Sequence, residues 1–108
     1  MPYNNHIIFI ETTTFTELLP KYLTDDEYRV FQWYLLLNPA AGDLVRGSGG
    51  VRKIRWSSEG KGKRGRIRIM YYLKKSDNEI WLLTIYSKNE KATIPSNILK
   101  KIAEEIKK

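Results

Sequence analysis

Eleven of the nineteen Lys and Arg residues lie between Arg46 and Lys75, a stretch with one acid (Glu59) and a formal charge of +10. The other 78 residues carry a net −3, so the overall charge of +7 is a regional property. Concentrated cations attract polyanions. Where arginines can be aimed at a phosphodiester, they also stabilise the charge that gathers on its non-bridging oxygens as the 2′-hydroxyl of RNA attacks. A lysine crowded by other cations can act as a base, because like charges disfavour its protonated form. The lone histidine, His6, has no cysteine partner and reads as a strand-edge side chain. Asp25-Asp26-Glu27 is explained by helix capping rather than by metal binding.

Side chains alternate across a strand, so spacing sorts these cations by face. In Val51-Arg52-Lys53-Ile54-Arg55-Trp56, Lys53 and Arg55 lie opposite Arg52, Ile54 and Trp56. In Arg66-Ile67-Arg68-Ile69-Met70-Tyr71-Tyr72, Arg66 and Arg68 share a face with Met70 and Tyr72. If the two runs pair, Lys53, Arg55, Arg66 and Arg68 converge on one side. Lys61, Lys63 and Arg64 then hang over that side, and Tyr86, Lys88 and Asn89 reach the same edge from the next strand. Cations beside aromatics make a surface that holds phosphates and stacks bases.

The connecting segment contains Gly60-x-Gly62-x-x-Gly65, the dinucleotide fingerprint. That fingerprint must open a helix; here Gly65 runs into Arg66-Ile67-Arg68-Ile69, a strand. A Walker loop needs Ser or Thr after Gly-Lys, and Gly60-Lys61 is followed by Gly62. The kinase glycine loop lacks its downstream motifs. The glycines read as loop, not cofactor cradle.

The elements that must carry the cations follow from pattern. The sequence predicts a strand over 6–10 and a helix from Thr13 or Thr14 that Pro20 interrupts or ends. Thr24 with Glu27 forms a capping box opening a helix that stops at Asn38-Pro39 and places Val30, Phe31, Tyr34 and Leu35 on one face. Strands follow over 51–56, 66–73 and 79–87, with a hairpin turn over 74–78. A last helix from Pro95 or Ser96 buries Ile98, Leu99, Ile102, Ala103 and Ile106. The order is strand, two helices, three strands, helix: an α+β fold in one expected domain, residues 1–108. The chain has no cysteine, no apolar run near the ~20 residues of a membrane span and no signal-peptide layout, so a cytoplasmic location is expected.

Four ordered motifs closely resemble the HigB branch of RelE/ParE-type toxins. They are Gly49-Gly50-Val51-Arg52-Lys53-Ile54-Arg55, Gly60-Lys61-Gly62-Lys63-Arg64-Gly65, Arg68-Ile69-Met70-Tyr71-Tyr72, and Leu83-Thr84-Ile85-Tyr86-Ser87-Lys88-Asn89-Glu90. Leu23 to Arg29 and Asn38 to Asp43 fit the same pattern, so the resemblance covers about residues 8 to 105. It implies a small antiparallel-dominated sheet packed with helices, like microbial ribonucleases. It also implies the toxin of a type II toxin–antitoxin pair, a ribosome-dependent endoribonuclease that enters the A site and cuts messenger RNA without a cofactor or metal. Its implied partners are the ribosome, the message and a HigA-like helix-turn-helix antitoxin; no membrane is involved. By position, Lys53 and Arg55 match the family's basic strand pair, Arg68 its strand arginine, and Lys88 and Asn89 the basic positions near the last strand end. The tyrosine of several RelE proteins falls here at Ile94-Pro95, which leaves Tyr86 or Tyr72 in its place or none at all.

The expected catalytic residues are therefore Arg68, Lys53, Arg55, Lys88 and Tyr86. Lys61, Lys63, Arg64, Arg66, Arg52 and Asn89 are expected to bind RNA and ribosome. Two other readings share the patch: a ParE-like toxin acting on DNA gyrase, and a non-catalytic RNA- or DNA-binding module.

Overall fold

The computed structural model describes residues 6–57, 66–90 and 94–108. Strand β1 (Ile8–Glu11) leads into helix α1 (Thr13–Leu18), whose N-cap hydroxyl, on Thr12, accepts from the Phe15 N–H. Pro20 does interrupt: Leu19–Lys21 tightens into a 3₁₀ turn. Helix α2 (Asp25–Leu37) opens on the expected capping box, with Glu27 N–H on Thr24 Oγ1 at 3.1 Å and Thr24 N–H on Glu27 Oε1 at 2.8 Å. Strands β3 (Arg52–Ser57), β4 (Arg66–Lys74) and β5 (Glu79–Ser87) precede helix α3 (Ser96–Lys107).

One strand was not expected. Asp43–Leu44 forms a two-residue β2 that pairs with Lys53 and Arg52 at the rim of the sheet. The sheet order is β1-β5-β4-β3-β2, with β1 parallel to β5 and every other pair antiparallel. This is the antiparallel-dominated α+β architecture the sequence implied.

The two sheet faces are packed by different helices. Phe15 of α1 and Phe31 and Leu35 of α2 close over Ile54, Ile67, Ile69, Tyr71, Ile80, Leu82 and Ile85. Helix α3 brings Leu99, Ala103 and Ile106 onto Val51, Met70, Tyr72, Leu83 and Tyr86 of the opposite face. Each large side chain so buried contributes about 1.5–3 kcal/mol. A bulge between Met70 and Tyr71 shifts the β4–β5 register and sets Leu83 under α3 beside the fully buried Thr84.

The α2 face expected from sequence is corrected. Phe31 and Leu35 are buried, but Val30 and Tyr34 are 58% and 40% exposed. With Trp33 and Leu37, also exposed, they form a second apolar stripe on the outside of the helix. The apolar residues of α2 outnumber those that one face can bury, so hydrophobicity alone does not fix its rotation. On α3, Ile98 is likewise turned out at 38% exposure.

Candidate nucleic-acid interface

Cross-strand partners project from the same face, so the register fixes the grouping of the cations. Arg55 pairs with Arg68, and Arg68 with Tyr86, making one row across β3, β4 and β5. Ser57 pairs with Arg66, whose carbonyl accepts the Lys88 N–H at 3.1 Å, so a second row runs Ser57–Arg66–Lys88. On the inner side, Lys53 pairs with Met70 and Met70 with Thr84. Helix α3 covers this inner part of the face and stops at Tyr86. Beyond Tyr86, Arg55 and Arg68 of the first row and the whole second row lie clear of α3. A cleft of about 250 Å³ opens there, lined by Arg55, Trp56, Ser57, Arg66 and Arg68.

Two arginines directly opposite each other on neighbouring strands cost stability rather than supply it. Among the described residues, the hydrogen bond of the Arg68 side chain is a long one, at 3.4 Å, to the Ile67 carbonyl of its own strand. Tyr86, 6% exposed, sits where these cations meet the α3 core. Burial raises the pKa of its hydroxyl above the ordinary phenol value, and the Arg68 cation pulls the other way. Burial prevails, so the hydroxyl holds its proton more firmly than a free phenol, which is itself protonated at neutral pH.

The turn after β5 is fixed from two sides. Glu90 N–H donates to the Ser87 carbonyl at 3.0 Å, and Glu90 Oε1 accepts the Ser87 N–H at 2.7 Å. The same oxygen accepts the Tyr22 hydroxyl at 2.7 Å, tying the turn to the 3₁₀ segment after α1. These bonds, that from Ser87 foremost, hold the Glu90 carboxyl below its usual pKa, and burial first pushes Tyr22 up to about 12. Lys88 and Asn89, both exposed, ride on this turn beside Arg66.

The structure thus brings Arg55, Arg68, Arg66, Tyr86 and Lys88 together, with Asn89 on the adjoining turn and Lys53 one row inward. Arg52 is on the other face, where its Nη1 donates to the Gly42 carbonyl at 2.7 Å and the Ala40 carbonyl at 3.2 Å. It fixes the turn after α2 instead of joining the row. Lys61, Lys63 and Arg64 lie outside the described residues.

Sequence reasoning missed two aromatics at the edge of the site. Trp56 packs edge-on to Phe31, with ring centroids at 5.1 Å, and Tyr34 of α2 tilts over it at 5.3 Å. They are 22 positions apart in the chain. The sequence shows a tyrosine on α2 and a tryptophan next to Arg55, but its pattern puts Tyr34 on the buried face, and only the packing joins the two.

No family model matches this sequence. Solved structures do. A chain of the intact Escherichia coli RelBE toxin–antitoxin complex is 13% identical, with a TM-score of 0.57 over 79% of this chain and 99% of that one. A mutant of the E. coli toxin RelE in the free state is 12% identical, with a TM-score of 0.57 over 93% of this chain and 96% of that one. The isolated E. coli RelE toxin is 17% identical, with a TM-score of 0.54 over 89% and 98% respectively. The sheet that carries the Arg55–Arg68–Tyr86 row therefore has the RelE fold.

Proposed function

We propose that this protein is the toxin of a toxin–antitoxin pair, of the HigB branch, and cuts messenger RNA in the ribosomal A site to stop translation. The observation that carries the reading is the Arg55–Arg68–Tyr86 row, which runs from the margin of the α3 core to arginines that no described helix covers. Its cations cost stability where they stand, and a RelE-like sheet holds them open to a polyanion.

The chemistry follows from the row. A phosphodiester laid across it meets Arg55 and Arg68, which stabilise charge on the non-bridging oxygens as the 2′-oxygen attacks phosphorus. The bond from phosphorus to the 5′-oxygen breaks, leaving a 2′,3′-cyclic phosphate. The 2′-hydroxyl gives its proton to solvent as it attacks, and the departing 5′-oxygen takes one from the Tyr86 hydroxyl. Solvent reprotonates the tyrosine, whose raised pKa favours the protonated form. Lys53 and Lys88 flank the row and complete the catalytic set. Arg66, Asn89 and the loop cations Lys61, Lys63 and Arg64 hold RNA and ribosome through phosphates, in a salt-dependent way. The chain acts in the cytoplasm and is held inactive by a helix-turn-helix antitoxin.

Induced expression tests this reading. Growth should halt, and new 5′ ends should fall at codon-registered positions in translated messages only. Inhibition of DNA supercoiling by the purified protein, with messages left whole, would instead identify a gyrase toxin.

A further inference from the structure

The cationic cleft does not end at Arg55. On the far side of β3, an open recess of about 450 Å³ is lined by Tyr34, Ala41, Asp43, Ile54, Arg55 and Trp56. Arg55 and Trp56 line both spaces, so the two adjoin at the rim of the sheet. The rim is passable because β2 is only two residues long. Its pairing ends at Lys53, and Ile54–Ser57 have β4 on one side and no strand on the other among the described residues.

We propose that this recess is a nucleobase subsite. A single RNA strand rounding the β3 edge sets a phosphate on Arg55 and the attached base against Tyr34 and Trp56. The proposal rests on the RNA reading above and adds to it a place where the base, not the phosphate, is held.

Three features fit a base. The rings of Tyr34 and Trp56 meet at 54°, an aromatic notch, and Phe31 braces Trp56 from behind at 77°. Stacking on such rings is sequence-tolerant and strong enough to matter for each base held. Asp43, at the rim, is an acceptor of the kind that receives the exocyclic amino group of cytosine. The wall between them is held in place: the buried Tyr71 hydroxyl donates to the Pro39 carbonyl at 2.8 Å and accepts the Gly42 N–H at 2.9 Å. A Cβ on Gly42 would come within 3.0 Å of the Tyr71 ring, so this turn admits no larger residue without shifting. Arg52 clamps the same turn through its two carbonyl bonds. It serves the subsite by positioning this wall.

The test compares two short single-stranded RNAs of equal length and charge at low ionic strength, one carrying bases and one abasic throughout. Each is titrated against the full chain by fluorescence anisotropy. The base-bearing strand should bind about tenfold tighter. Tyr34→Ala, at an exposed position, should erase that preference and leave abasic binding unchanged, and Tyr34→Phe should restore it. Asp43→Asn should narrow any preference for cytosine over uracil. Equal binding of both strands by the unsubstituted protein overturns the subsite alone and leaves the notch to a protein side chain. Retention of the preference in Tyr34→Ala does the same. Binding of neither strand overturns the RNA reading and the subsite with it.

Discussion

On the face covered by α1 and α2, the central strands present Ile54, Ile67, Ile69, Tyr71, Ile80, Leu82 and Ile85 to a buried core. On the other face the packing under α3 stops at Tyr86 and gives way to Arg55, Arg66 and Arg68. The same two strands, β3 and β4, supply both surfaces by alternation. The contrast separates folding from function. One face gains free energy from every side chain it hides, while the other holds like charges side by side in water and is stabilised from behind by the first. A site of mutually repelling cations needs such a support, since it supplies no stability of its own.

Substitutions on the two faces should therefore fail in different ways. The largest effect on stability is expected at Phe31, which is fully buried against Trp56. Phe31→Ala should lower the unfolding free energy by about 3–5 kcal/mol in denaturant titration, and cleavage should fall only as folded protein is lost. Tyr86→Phe should do the reverse, slowing cleavage about 100-fold if its hydroxyl is the general acid, with the urea midpoint little moved. The sign of its pKa shift adds a condition: a raised pKa keeps the proton on through pH 9, so the tyrosine should give no falling limb between pH 6 and 9. A falling limb in that range that Tyr86→Phe abolishes would contradict the raised pKa, and an unchanged cleavage rate in Tyr86→Phe would refute the general-acid assignment.

Smaller effects sharpen the contrast. Thr24→Ala removes the N-cap of α2 and should cost about 1 kcal/mol in stability, with the cut pattern unchanged. Arg55→Ala relieves the repulsion facing Arg68 and should stabilise the fold by roughly 0.2–1 kcal/mol while weakening cleavage. If it destabilised the protein by more than that, the row would be a structural feature and the contrast would collapse.

Period-two alternation makes the cationic face legible in the sequence itself, because each cation's face follows from its position and a register error of one would reverse them all. The capping box and the stop at Asn38-Pro39 likewise mark α2 within a residue. The features that stay hidden from local pattern depend on choices among equals. Helix α2 has two apolar stripes, and which one turns inward depends on the shape of the sheet beneath it; Phe31 and Leu35 turn in, Val30 and Tyr34 out. Strand β2 is too short to have a period. Alternation puts Arg52 on the face away from Lys53 and Arg55, but does not tell that the turn after α2 brings it backbone carbonyls to bind there. The Tyr34–Trp56 notch joins a helix to a strand, and no local pattern announces it.

The central claim is that the uncovered cations cut translated RNA, and mapping of RNA 5′ ends in cells expressing the protein or its Arg68→Ala variant tests it most directly. The account predicts codon-registered cuts in translated messages that fall by about 100- to 1,000-fold in the variant, with growth restored and the variant still folded. Equal growth arrest by a folded Arg68→Ala protein, or cuts that ignore translation, would contradict it.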